Sequence, residues 1–250
     1  MLRFENLWLS YQSDTETSSI LEEVSFSFAP GDQIGILGGN GSGKSTIARL
    51  CQGLLQPDQG RVFLESNEPS QFGDSLQKQV GLLQQNPAHQ MIHPTLADDL
   101  AFGLENQGTP SAEIQASLLT WARRLDLEAV LESPIAELSS GMQALCALAG
   151  ILMTVPRYLV LDEPYSRLDP WTRGRFRQLL HDLTTSGSIG LLLLSHTPED
   201  LEGCSTILVL HERRIVFSGS PGALWANPKL PEWGFSPPDS FHVATLGGCP

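Results

Sequence analysis

The unbroken apolar run Ile34-Gly35-Ile36-Leu37 meets the stretch Gly38-Gly39-Asn40-Gly41-Ser42-Gly43-Lys44-Ser45, and a helical pattern follows from Thr46 through Ile47, Ala48, Leu50 and Leu54. This junction constrains the fold more than any other feature of the chain. A run that is apolar at every position suits a strand covered on both faces, as in a parallel sheet. The glycine-rich stretch fits G-x-x-x-x-G-K-[ST] between strand and helix, the setting in which that pattern forms a phosphate-binding loop. Its glycines let consecutive backbone N–H groups turn inward, and the following helix adds its positive N-terminal end. Lys44 is placed to bridge the β- and γ-phosphates, Ser45 to ligate Mg²⁺, and Thr46 to reach an inner phosphate.

The rest of the chain agrees with an α/β class. Leu7-Trp8-Leu9 and Val24-Ser25-Phe26-Ser27-Phe28 alternate in the period of strands, with a turn at Pro30-Gly31-Asp32. Residues 86–155 read as mostly helical, and Ala144 to Val155 as a buried helix, too short for a bilayer that needs about 20 residues. Two buried strands, Tyr158-Leu159-Val160-Leu161 and Leu191-Leu192-Leu193-Leu194, flank helical spacing from Pro170 to Leu183. That strand–helix–strand order argues for a mainly parallel sheet. Ile207-Leu208-Val209-Leu210 and Arg214-Ile215-Val216-Phe217 form a closing hairpin. From Pro221 onward the chain is rich in proline, so little regular structure is expected, but its aromatics suggest docking.

The first predicted strand after residue 155 ends in two carboxylates, Asp162 and Glu163. Nucleotide sites in open α/β sheets lie beyond the carboxyl ends of the strands, so both acids are delivered to the loop at 38–45. Asp162 is expected to hold Mg²⁺ through water, and Glu163 to orient and polarise an attacking water. His196 follows the next apolar strand, where an imidazole can bond a γ-phosphate. Acids outnumber bases 28 to 15, a formal net charge of -13, and no segment is dense in Lys or Arg. Nucleic-acid binding by counterion release is therefore disfavoured. The four cysteines, Cys51, Cys146, Cys204 and Cys249, form no CxxC pair, which points to a reducing compartment without a zinc or disulfide framework. The N-terminus shows no signal-peptide pattern.

With these residues in place, the chain resembles an ATP-binding cassette (ABC) ATPase over residues 1–225. Leu138-Ser139-Ser140-Gly141-Met142 stands where the family's LSGGQ signature belongs and differs from it at Ser140 and Met142. Ser139 and the N–H groups around Gly141 open an apolar helix, a second anion site. The bland role for Ser139 is an ordinary N-cap, and both roles use the same N–H groups. The resemblance implies a P-loop ABC nucleotide-binding domain with a mainly parallel core sheet, an antiparallel β subdomain and an inserted helical subdomain at about 86–155. Residues 226–250 form a tail. It implies ATP and Mg²⁺ as ligands, Tyr11 stacked on adenine, and Gln85 coupling metal and water to the helical subdomain. It also implies that the Ser166-Arg167-Leu168-Asp169 loop crosses the interface of two cassettes packed head to tail, identical or not.

A narrower resemblance rests on Gln85-Asn86-Pro87-Ala88-His89-Gln90, Thr95, Asp99 and Ala101-Phe102-Gly103-Leu104-Glu105-Asn106. These are similar to the ATPase subunits of energy-coupling factor (ECF) transporters, importers of vitamins and transition-metal ions. The implied partners are a second ATPase subunit, a transmembrane coupling subunit and a substrate-binding membrane subunit, with the chain at the cytoplasmic face of the membrane. A conventional ABC transporter or a non-transport ABC ATPase are the alternatives.

Overall fold

In a computed structural model of the chain, residues 1–12, 17–65 and 74–241 are described. Cys249 and the end of the proline-rich tail lie outside them. Two sheets form the core. The smaller is antiparallel and places β1 (Leu2–Gln12) between β2 (Thr17–Phe28) and β4 (Gln59–Leu64). The larger contains β3 (Gln33–Gly38), β5 (Val80–Leu83), β6 (Tyr158–Asp162), β7 (Gly190–Ser195), β8 (Thr206–His211) and β9 (Arg214–Gly219). Its order is β5-β6-β7-β3-β8-β9. The first five strands run parallel, and β9 closes the edge as the antiparallel arm of the expected hairpin.

β6 and β7 are buried at every residue, as unbroken apolar runs require. Alternate side chains feed two separate cores. Leu159, Leu161, Leu191 and Leu193 join a cluster on the helical side, whereas Tyr158, Val160, Leu192 and Leu194 pack toward the antiparallel sheet. The register of β6 and β7 is thus fixed, because a one-residue slip would exchange the two sets.

α1 (Lys44–Cys51) follows the glycine loop directly. A short α2 (Asp74–Gln79) precedes β5. Between β5 and β6 lie α3 (Leu96–Asn106), α4 (Ser111–Arg124) and α5 (Ser140–Met153), joined by 3-10 turns. α5 buries nine of its residues, including Leu145, Leu148, Ala149 and Leu152, and is the buried helix the apolar run predicts. Its limits differ from the apolar stretch. Ser139 caps it earlier, and it ends at Met153 because Pro156 has no N–H with which to continue. Val155 is left outside the helix, exposed and with φ 52°.

α6 (Pro170–Thr185) supplies the expected helix between β6 and β7. The tail is more regular than its composition suggests. α7 (Pro221–Trp225) and a 3-10 turn at Leu230–Trp233 tolerate proline because it falls in their first turns, where its missing N–H costs nothing. Trp233, Phe235 and Phe241 pack against the helical-side core, so the docking expectation holds as far as residue 241. No helix among the described residues is long and apolar enough to cross a membrane.

Candidate functional site

The glycine loop joins β3 to α1 in the conformation its composition allows. Gly43 has φ 107°, and a Cβ there would lie 2.9 Å from Leu21 Cδ2 and 3.2 Å from the Ile20 carbonyl oxygen. Both the backbone angle and the neighbouring β2 exclude a side chain. At Gly38, a Cβ would meet Ser42 Oγ at 2.6 Å. Gly43 is also the N-cap of α1 and offers no side-chain cap, so the first N–H groups of that helix are left for a ligand.

Lys44 is buried despite its charge, and three acceptors compensate it. Its Nζ donates to the carbonyls of Gly38 and Gly39 at 2.8 and 3.0 Å and lies 3.3 Å from Glu163 Oε1. Glu163 follows the end of β6 with φ 51°, a left-handed conformation that costs a non-glycine residue about 1–3 kcal/mol. Its N–H bonds the Leu194 carbonyl of β7 at 2.9 Å, which helps hold that strained turn. The side chain then becomes a point of convergence. His196 Nδ1 lies 3.0 Å from Oε1, and Gln85 Nε2 donates to Oε2 at 3.1 Å. Residues 85, 163 and 196, far apart in sequence, thus meet above the loop because β5, β6 and β7 are parallel and adjacent.

Asp162, the last residue of β6, is buried beside Ser45, whose hydroxyl bonds it. Burial pushes its carboxyl above the usual carboxylate range. The Ser45 bond and the Lys44 and Arg49 charges oppose that shift, and Glu163 adds to it. Its Oδ1 is buried with no hydrogen-bond partner. Ser45, Gln85 and Asp162 share the lining of one cavity of about 170 Å³. An unpartnered carboxylate oxygen beside a hydroxyl and an amide is an all-oxygen donor set, which fits a hard cation such as Mg²⁺. Tyr11 stands at the edge of the cradle, partly exposed, with its hydroxyl 3.4 Å from Thr46 Oγ1.

Ser139, Gly141 and Asp169 are brought together elsewhere. Ser139 Oγ accepts from Met142 N at 3.2 Å and caps α5. Asp169 caps α6, accepting from the Trp171 and Thr172 amides at 3.0 Å and from Thr172 Oγ1 at 2.6 Å. These bonds, led by the Thr172 hydroxyl, hold its carboxyl below the usual range. A Cβ on Gly141 would sit 3.6 Å from Asp169 Oδ2, and Ser140 Oγ donates to the Arg167 carbonyl at 3.3 Å. The signature turn and the Ser166–Asp169 loop therefore form one surface. Among the described residues, none of these contacts reaches the 38–46 loop.

The ABC transporter family model matches residues 21–166, which span the loop, the signature and both carboxylates. The chain belongs to the ABC transporter family. The energy-coupling factor transporter ATP-binding protein EcfA1 of Halalkalibacterium halodurans is 32% identical over 94% of this cassette and 85% of its own length. Its counterpart from Streptococcus thermophilus is 34% identical over 90% of the cassette and 82% of its own length. The structure of cbiO1 from Clostridium perfringens, described as part of the ABC transporter complex cbiONQ, superposes with a TM-score of 0.79. It is 27% identical and covers 98% of both chains. The fold is the ABC-type P-loop ATPase fold, and the cassette is a nucleotide-binding ATPase of that family.

Some well-connected residues of this cassette carry no sequence signal. Asp200, buried in the 3-10 turn Pro198–Leu201, accepts from Ser195 Oγ at 2.7 Å. Arg173 and Arg177 of α6 approach it to 3.8 and 4.0 Å. The spacing of the two arginines places them on one helix face, but only the fold reveals what they face. One contact between segments that the sequence does single out is also visible only in the fold: the Arg167 guanidinium donates to Asn86 Oδ1 at 3.3 Å and ties the Ser166–Asp169 loop to the segment carrying Gln85.

Proposed function

We propose that the chain is the ATP-binding and ATP-hydrolysing subunit of an ECF-type importer, working at the cytoplasmic face of the membrane through ATP-driven closure of two cassettes. Convergence of Lys44, Gln85 and His196 on Glu163, directly above the glycine loop, carries this reading. The loop amides from Gly38 to Gly43 and the start of α1 bind the phosphates, with Tyr11 against adenine and Thr46 on an inner phosphate. Triphosphate oxygens would compete with Glu163 for the Lys44 ammonium and free that carboxylate for water. Glu163 then polarises the water, which attacks the γ-phosphorus in line with departing ADP; one P–O bond forms as the other breaks. His196 donates to a γ-phosphate oxygen. Ser45, Asp162 and Gln85 would hold Mg²⁺, which when bound supplies neutralisation of charge on the β- and γ-oxygens.

Ser139, Gly141 and Asp169 serve the ATP held by the partner cassette, whether a second copy or a related ATPase subunit. Their separation from the chain's own cradle supports that assignment. Membrane subunits, one coupling and one substrate-binding, complete the assembly. A groove of about 250 Å³ between β5, α3 and α5, lined by Val80, Gln90, Phe102, Ile151 and Thr154, suits a short helix from the coupling subunit. Ile92 at its edge is highly exposed. We assign residues 1–225 to the ATPase domain, about 86–155 to its helical subdomain and 226–250 to the tail.

Affinity purification of the chain from detergent-solubilised membranes tests the reading. Recovery of a second cassette and two membrane proteins, with uptake into vesicles driven by ATP alone, is the expected result. A requirement for a separate soluble solute-binding protein would instead indicate a conventional ABC importer.

A further inference from the structure

We propose that Asp200 is a positioning residue for His196, acting through the Ser195 hydroxyl. This rests on the reading of His196 as a γ-phosphate ligand. Ser195, the last residue of β7, is buried, and its Oγ makes two bonds of opposite sense. It donates to Asp200 Oδ2 at 2.7 Å and accepts from Thr197 N at 3.0 Å. The second bond spans His196 and closes a small side-chain turn around it. A hydroxyl has one proton, so giving it to Asp200 leaves a lone pair aimed at the Thr197 amide. Without the carboxylate, the hydroxyl is free to rotate and the turn at His196 loses its lock.

Asp200 is itself held from the opposite side. Arg173 Nη1 lies 3.8 Å from Oδ1, and Arg177 Nη2 lies 4.0 Å away while donating to the Glu199 carbonyl at 2.6 Å. Oδ1 has no hydrogen-bond partner, so these contacts are electrostatic. Arg173 Nη2 also donates to the Tyr165 carbonyl at 3.1 Å. Tyr165 is two residues beyond Glu163, so one guanidinium touches the chain following Glu163 and the carboxylate behind His196. Both Glu163 and His196 are therefore set from one shared ion cluster, in which Asp200 is buried and the two arginines are partly exposed.

The test measures kcat and KM for ATP in the ATPase-active assembly carrying the full chain. The variants are Ser195→Ala, Asp200→Ala, their combination and Asp200→Asn, with His196→Ala for reference. Each alanine variant should lower kcat about tenfold with KM within about twofold, since displacement of a catalytic group acts on the chemical step. The double variant should fall no further than the worse single, the mark of two residues acting through one bond. Asp200→Asn keeps an acceptor for the Ser195 hydroxyl and should recover most of the rate.

Ser195→Ala removes a single oxygen, so it remains informative if Asp200→Ala fails to fold. Wild-type kcat in Ser195→Ala, beside an impaired His196→Ala, overturns this inference alone. Multiplying losses in the double variant overturn it as well. A full rate in His196→Ala overturns the role of His196 and this inference together.

Discussion

The cradle at 38–46 and the signature surface at 139–141 are both built at a helix N-terminus, but they satisfy its N–H groups differently. α1 begins at Gly43, which supplies no side-chain cap. α5 begins at Ser139, whose hydroxyl caps it, and the neighbouring α6 is capped by Asp169. Around the cradle, Lys44 and Glu163 are buried and interlocked. Around the signature, Ser139, Ser140 and Asp169 remain exposed or half-exposed. The cradle is thus assembled by one chain's own fold. The signature surface is capped by its own side chains and faces outward, a geometry suited to meeting a nucleotide carried by another molecule.

Variants can break that comparison. The largest effect is expected from Glu163→Gln, which keeps the shape and removes the proposed base: ATP turnover should fall by about 10²- to 10⁴-fold. Equilibrium ATP binding should persist, and ordinary phosphate release by that variant would break the assignment. Next, Lys44→Ala should weaken ATP binding by about 10- to 100-fold, because charge-assisted bonds to phosphate contribute about 1.5–3 kcal/mol. Titration with a fluorescent ATP analogue measures it, and undiminished affinity would contradict the cradle.

Asp162 sharpens the contrast through pH. Burial raises its pKa, so the folded chain holds this proton more tightly than the unfolded chain does. Its contribution is most favourable at low pH and is lost as pH rises from about 3.9 through the raised value. Asp162→Asn should remove that component of the pH dependence and lose most of the thermal stabilisation given by Mg²⁺ with ATP. Melting curves across pH, with and without the metal, report both. The smallest effect belongs to Ser139→Ala, where loss of an N-cap costs about 1 kcal/mol. That corresponds to a melting decrease of about 2–4 °C for a chain of this size. Turnover in the closed pair should drop while ATP affinity of the single chain is kept.

How much was legible in the sequence follows the same division. Local chemistry was plain: the glycine loop, the Asp162-Glu163 strand end and the strand–helix–strand order each follow from contiguous residues. The register that brings Gln85, Glu163 and His196 together needed only the parallel order of β5, β6 and β7. Hidden were contacts between elements far apart in the chain. Asp200 with Arg173 and Arg177 joins ordinary surface-type residues whose meaning arises when α6 packs beside the turn after β7, and the bond between Arg167 and Asn86 links two recognisable segments in a way that their sequences do not state. Proline content alone misjudges the tail, because Pro221 and Pro231 occupy first-turn positions that proline suits.

The dependence of hydrolysis on a second cassette is tested most directly by ATP turnover per chain across a dilution series, with particle mass measured in parallel. Activity should fall in step with the fraction of chains in two-cassette particles and approach zero for the solitary subunit. Constant turnover per chain, at dilutions where every particle has the mass of one cassette, would contradict the account.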